Sequence, residues 1–211
     1  VYTGSSWQGT IGNVPGASSS NTITFQSQSG NKANCVLQPT GTSSTNYVFY
    51  LNGAKYVTIK NLTLSNMGSS YGCDIRLAGS ASYNTIENCV LTGHTGTTTS
   101  SNKSRIYASS FSSGLSNTFR NNLIERGSYG VYLQGNSTTT TTNGHIFEDN
   151  IFDQNYYYAF YGYYTGDLTF SGNTVNRTGS GTYYGMEINY NRDKCEIDGN
   201  EFNVNTTGTT Y

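Results

Sequence analysis

Few side chains in this sequence stand where they could move a proton or grip an acidic sugar. The densest group is Asp74, Arg76 and Arg105. Removing a proton beside a carboxyl-bearing carbon takes a base, for which Lys or Arg can serve. It also takes a cation to hold the developing charge, either calcium on clustered carboxylates or an arginine clamp. These three residues fall at matching places of neighbouring repeats and form the weak candidate set for such a step. The plainer reading is an Asp-Arg pair on the surface. Glycoside hydrolysis needs two carboxylates about 5 to 9.5 Å apart, and no facing pair emerges. Glu148 and Asp149 precede one corner, Asp198 precedes another two repeats on, and Asp153, Asp167 and Asp193 lie in turn sequence. His94 and His145 have no Cys or carboxylate at metal-ligand spacing, so no metal is expected, and they read as a loop and a corner histidine.

A second set suits binding. Tyr50, Tyr107, Tyr132, Gln134, Tyr161, Tyr163, Glu187 and Asn189 alternate with apolar positions, which puts them together on an outer face. Aromatic faces stack on the apolar faces of sugars, while phenol, amide and carboxylate groups bond sugar hydroxyls. Tyr is also a good strand residue that stacks on its own kind. Structural stacking therefore competes with glycan binding as the account of this face.

What positions these side chains is a repeat. A short alternating strand, a polar corner and a second alternating strand recur along the chain, most clearly over 118–152. First-strand apolar residues align as Ile59, Ile86, Phe119, Phe147, Phe170 and Ile197, which lie 27, 33, 28, 23 and 27 residues apart. After the corner come Leu37, Leu64, Leu91, Ile124, Phe152, Val175 and Phe202. A third strand carries Phe49, Ile75, Ile106, Val131, Phe160 and Met186. A one-residue slip would turn any of these columns to water, so the columns fix the register. Three short strands per turn, each paired in parallel one turn along, predict an all-β, right-handed single-stranded parallel β-helix of about seven coils. The domain is 21–211, preceded by an irregular segment or partial first coil at 1–20 containing Trp7, Ile11 and Val14. The stretches 95–103 and 137–143 read as insertions at corners.

The corner column runs Cys35, Leu62, Cys89, Asn122, Asn150, Asn173 and Asn200. Asn tolerates left-handed backbone, and stacked amides can bond one another up a column. Cys35 and Cys89 stand two coils apart in it, roughly 9.6 Å, too far to bridge. Cys73 is assigned to a third strand and Cys195 to a first strand. No disulfide is expected, and all four thiols should pack as small apolar groups.

Composition bounds the function. Charged residues are 11% of 211, with net charge −1, so no basic stripe exists to neutralise a phosphate backbone and nucleic acid is excluded as a partner. No apolar run reaches the roughly 18 residues of a membrane helix. The start at Val1, inside folded-looking sequence without a signal peptide, reads as a mature or excised segment. No amphipathic helix precedes Asn21 to close the first coil, so the ends should stack on neighbouring copies or on further coils of a longer chain.

The phrases Asn21, Thr22, Ile23, Thr24, Phe25; Tyr83, Asn84, Thr85, Ile86, Glu87, Asn88; and Asn117, Thr118, Phe119, Arg120, Asn121, Asn122 give the chain its likeness to known proteins. Over roughly 21–205 it resembles the right-handed parallel β-helix of the pectate-lyase-like superfamily. More narrowly, it is similar to secreted, Ser/Thr/Asn-rich, adhesin-like β-helix proteins of Bacteroidota. The resemblance implies an extracellular or cell-surface location and a structural or adhesion module, with surface glycan or neighbouring chains as partners and no cofactor. The alternative it implies is a polysaccharide lyase, for which calcium would be the cofactor.

Overall fold

A computed structural model of the chain describes residues 6–111, 114–138 and 141–211. The other residues, among them the first five of the N-terminal segment and Thr139 and Thr140 of the second insertion, lie outside the described part. The chain winds into a solenoid of three parallel sheets with seven, eight and seven strands, about six turns against the seven expected. The only helices among the described residues are two short 3-10 turns, Lys32–Asn34 and Ser101–Lys103.

The first, eight-stranded sheet stacks Ile23–Gln26, Val57–Lys60, Thr85–Glu87, Thr118–Arg120, Ile146–Glu148, Thr165–Ser171 and Arg192–Asp198, with the short Thr142–Asn143 also paired to Thr165–Ser171. In it Phe25, Ile59, Ile86, Phe119, Phe147, Phe170 and Ile197 follow one another as direct partners. The second sheet, from Val36–Leu37 to Glu201–Thr206, pairs Leu37, Leu64, Leu91, Ile124, Phe152, Val175 and Phe202 in the same way. The third begins with Gly9–Ile11 and continues through Phe49–Asn52, Ile75–Ala78, Ile106–Ala108, Tyr129–Gln134, Tyr158–Tyr163 and Tyr184–Asn189. All three inward columns keep the register expected from the sequence, because alternation buries every second side chain and each coil repeats it. The columns meet in one core, where Phe119 stacks on Phe147 at 4.8 Å and Phe160 meets Phe147 edge-on at 5.0 Å.

The corner between the first two sheets is built by two residues. The left-handed one comes first: Asn61, Asn88, Asn121, Asp149, Gly172 and Gly199 all have φ between 49° and 62°. The expectation had assigned that backbone to the following Asn, whose task is instead carried by its side chain. Asn122 Nδ2 donates to Asn150 Oδ1 at 3.0 Å, Asn150 to Asn173 at 3.0 Å and Asn173 to Asn200 at 3.0 Å. The same amides donate to the carbonyls of Ile86, Phe119 and Phe147, so they satisfy both one another and backbone acceptors at this buried bend. A second ladder leads into the first sheet. Asn84 Nδ2 donates to Asn117 Oδ1 at 2.9 Å, and the Asn117 backbone N–H donates to His145 Nδ1 at 3.2 Å.

All four cysteines are free. Two details differ from expectation. Cys73 stands in the corner before Ile75–Ala78 rather than in the strand, with its thiol 3.1 Å from the Ile75 carbonyl. Cys195 is exposed rather than packed, because among the described residues its strand Arg192–Asp198 is paired on one side, with Thr165–Ser171. The two ends of the solenoid differ. At the first, the Trp7 ring lies 4.6 Å from the Phe49 ring. A Cβ on Gly9 would come within 2.2 Å of that indole, so the close approach requires glycine there. At the last, Ile197 is 51% and Phe202 44% exposed.

Candidate functional site

The third sheet turns a row of polar and aromatic side chains outward. Tyr50, Arg76, Tyr107, Tyr132, Tyr161 and Glu187 are successive partners in register. Strands about 4.8 Å apart force like side chains into contact. Tyr107 stacks on Tyr132 at 5.4 Å and Tyr132 on Tyr161 at 5.1 Å. Arg76 fills the one non-aromatic gap, its guanidinium carbon 5.0 Å from the Tyr50 ring centre and 5.9 Å from that of Tyr107. All six side chains are half-buried.

Polar groups trim this row. The Tyr132 hydroxyl donates to Gln134 Oε1 at 2.7 Å, and Asn189 Nδ2 donates to Glu187 Oε1 at 2.5 Å. Tyr163 continues the face, parallel to Tyr161 at 6.1 Å. The expected glycan-face residues therefore do come together on one surface.

A second aromatic column lies beside the first and was not read from the sequence. Tyr129, Tyr158, Tyr184 and Tyr211 stack at 5.0, 4.5 and 4.8 Å. Tyr129 meets Tyr132 edge-on at 5.3 Å, and Tyr158 meets Tyr161 edge-on at 5.4 Å. The Tyr158 hydroxyl donates to Glu187 Oε2 at 2.8 Å. Burial pushes the phenols of Tyr129, Tyr132, Tyr158 and Tyr161 up from their ordinary value, and Glu187 adds to this at Tyr129, Tyr158 and Tyr161. These phenols stay protonated at neutral pH, and those of Tyr132 and Tyr158 commit their single O–H to Gln134 and Glu187, so this part of the face presents mainly flat rings and the partnered amide and carboxylate.

The charged set of Asp74, Arg76 and Arg105 does not form on this face. Asp74 and Arg105 are wholly buried, with Arg105 Nη1 3.2 Å from Asp74 Oδ2. Asp74 Oδ1 accepts from the Asn66 backbone N–H at 2.9 Å, and the Arg105 guanidinium donates to the carbonyls of Thr92 and Gly72. The reason is local. Both residues precede their strands, Ile75–Ala78 and Ile106–Ala108, so the in-out alternation does not extend to them. Their side chains instead tie the corner of the 95–103 insertion to the preceding coil. Burial pushes the Asp74 carboxyl up, while Arg105 pulls it back. The reading as a surface pair is likewise corrected to a buried one, and Arg76 alone of the three remains on the face.

Among the described residues no group of three His, Cys, Asp or Glu side chains could hold a metal, and no helix is long and apolar enough to cross a membrane. His145 is buried, with Nε2 2.5 Å from Thr142 Oγ1. His94 lies half-buried in the insertion, 3.5 Å from Lys103 Nζ. The family described as right handed beta helix region matches the chain over residues 3–175 and 46–211. Compared with curated proteins and with solved structures, the chain matches none.

Proposed function

Since the chain belongs to the right handed beta helix family, whose coils are a scaffold for whatever their faces carry, we propose that it is a non-catalytic module of an extracellular or cell-surface protein that binds glycan along its tyrosine face. The observation that carries this reading is the unbroken, half-exposed row from Tyr50 to Glu187. A row of stacked rings flanked by amides and a carboxylate offers an extended sugar chain both apolar platforms and hydroxyl partners. The burial of Asp74 and Arg105 takes away the set on which a polysaccharide lyase, with or without calcium, would have rested.

The test is binding to immobilised neutral polysaccharides, with xylan, laminarin, mannan and dextran as probes. The double variant Tyr132→Ala, Tyr161→Ala should lose at least about tenfold in affinity, since rigid aromatic platforms dominate such contacts, while keeping its circular dichroism spectrum. Equal binding by the variant would sink the reading. Incubating uronic-acid polymers with the protein and calcium, and finding new unsaturated ends by ultraviolet absorbance, would restore the lyase.

The same proposal includes adhesin-like assembly. The last coil leaves Ile197 and Phe202 open, a surface that suits stacking on a neighbouring coil, either of a second copy or of a longer chain. For the isolated chain, sedimentation over a concentration series should show association that Phe202→Lys removes. A sharp monomer at every concentration would sink assembly between copies.

A further inference from the structure

The second sheet runs into a recess that the tyrosine row does not include. Two residues beyond the inward positions Ile124, Phe152 and Val175 stand Arg126, Gln154 and Arg177, one per coil. Their backbones are linked by Arg126 N–H to Asp153 O and Gln154 N–H to Asn176 O, both 2.9 Å. The insertion overhangs them at 95–97, and the turn 179–181 closes the opposite side. The space between is about 750 Å³, within the range of small-ligand sites.

The recess is cationic. Arg126 is 51% exposed along its side chain, and among the described residues its one ion-pair contact is Glu125 at 3.8 Å, itself held by Thr92 Oγ1 at 2.7 Å. Arg177 lies between Tyr156 and Tyr183, its guanidinium carbon 5.5 and 5.8 Å from their ring centres. Its Nη groups reach only neutral oxygens, Gln154 Oε1 at 3.5 Å and Ser180 O at 3.3 Å, and its buried Nε has no hydrogen-bond partner. A third cation stands behind the wall. Lys103 is buried, and a Cβ on Gly96, which lines the recess, would lie 2.8 Å from Lys103 Nζ. Among the described residues neither Arg177 nor Lys103 forms an ion pair. Burial lowers the Lys103 amine, and Arg105 adds to that effect. A chain with only 11 cationic residues and a net charge of −1 thus gathers three around one hollow with a single carboxylate in contact. The half-exposed Arg126 guanidinium and the Arg177 Nη groups, whose bonds are long at 3.5 and 3.3 Å, keep donor capacity suited to an oxyanion.

The recess also has a neighbour. Tyr156 is shared with a second hollow of about 450 Å³, lined by Thr99, Tyr157, Thr182, Tyr184 and Tyr211, which opens onto the second tyrosine column. Rings and hydroxyls therefore lead directly to the arginines.

We propose that this recess is an oxyanion subsite in which Arg126 and Arg177 hold a carboxylate or sulfate group of a polysaccharide whose sugar rings lie against Tyr156 and Tyr184. It rests on the tyrosine-face reading for the nature of the polymer alone. The anion capture stands on the recess itself.

Three polymers with one backbone test it: dextran, carboxymethyl-dextran and dextran sulfate, measured by calorimetry at low salt, with poly-glutamate as the acidic peptide. The charged dextrans should bind at least about tenfold more tightly than dextran, an advantage that shrinks as salt rises. The double variant Arg126→Gln, Arg177→Gln should abolish that advantage, and the single change Arg126→Gln, at a half-exposed side chain and checked by an unchanged circular dichroism spectrum, should cut it severalfold. Arg192→Gln, at an exposed site elsewhere, should change it less than twofold. A stronger response to one charged dextran identifies the oxyanion. No advantage for either, an advantage that survives the double variant, or equal binding of poly-glutamate would overturn the proposal. Charge-dependent binding that needs the arginines but survives Tyr132→Ala, Tyr161→Ala would sink the tyrosine face and leave the recess standing.

Discussion

His145 illustrates how a corner residue sets a pH limit. Its Nδ1 accepts from the Asn117 N–H, so the ring is neutral with its proton on Nε2, facing Thr142. Burial pushes its pKa down to about 4 from an ordinary value of 6.5. The unfolded chain takes up the proton near pH 6.5 and the native one only near 4, so stability is lost as pH falls through that window and is untouched above it. The loss should approach about 3 kcal/mol, read as the difference between the urea midpoints of the protein and of His145→Gln as pH falls from 7 to 4, a comparison in which the opposite trend from the raised Asp74 carboxyl cancels. The same pH dependence in both proteins would refute the assignment. The Asn ladder makes a similar demand. Asn150→Ala removes an amide that serves Phe119 O, Asn122 and Asn173, and should cost about 2–4 kcal/mol, whereas the half-buried Asn200 at the open end should cost less. Thiol reactivity follows burial. Iodoacetamide without denaturant should label Cys195 readily and leave Cys73 and Cys89, whose thiols burial pushes up (Cys89 to about 12), unmodified. At this scale the sequence misleads where a strand ends. Asp74 and Arg105 have the spacing of outward residues but stand one position before their strands, and only the turn of the backbone reveals that they point inward.

At the scale of strands, the parallel pairing converts a one-dimensional spacing into a surface. The first tyrosine row and all three inward columns were legible because alternation restarts in every coil and the core punishes slippage. The second row was equally written, since Tyr129, Tyr158 and Tyr184 precede Val131, Phe160 and Met186 by two residues each. It escaped reading because alternation alone would turn those tyrosines into the core, whereas Tyr129 and Tyr158 pack edge-on against Tyr132 and Tyr161. Arg126, Gln154 and Arg177 share the same hidden regularity, but only the overhang of the insertion makes a recess of them, and no spacing encodes where a loop folds back. The inner columns are less tolerant than the outer ones. Phe147 touches Phe119, Phe160 and Phe170, so Phe147→Ala should lower the unfolding free energy by about 3–5 kcal/mol, measured in urea. Tyr132→Ala should leave stability nearly unchanged by comparison.

For the whole molecule, contacts run mainly between adjacent coils, so stability is a sum of neighbour terms rather than the property of one centre. The described ends then differ in what they present, an indole set against Phe49 at the first and Ile197 and Phe202 exposed at the last. Trp7 is the chain's one tryptophan, against 19 tyrosines spread over the coils. Its emission therefore speaks for the first coils alone, while near-ultraviolet ellipticity of the tyrosines, stacked from Tyr56 and Tyr83 to Tyr184 and Tyr211, speaks for the length of the solenoid. The protein carries its own two-colour optical gauge. Coincident transitions in the two signals on heating would mark a solenoid that melts as one, and a Trp7 signal that shifts first would mark one that unwinds from its first coil.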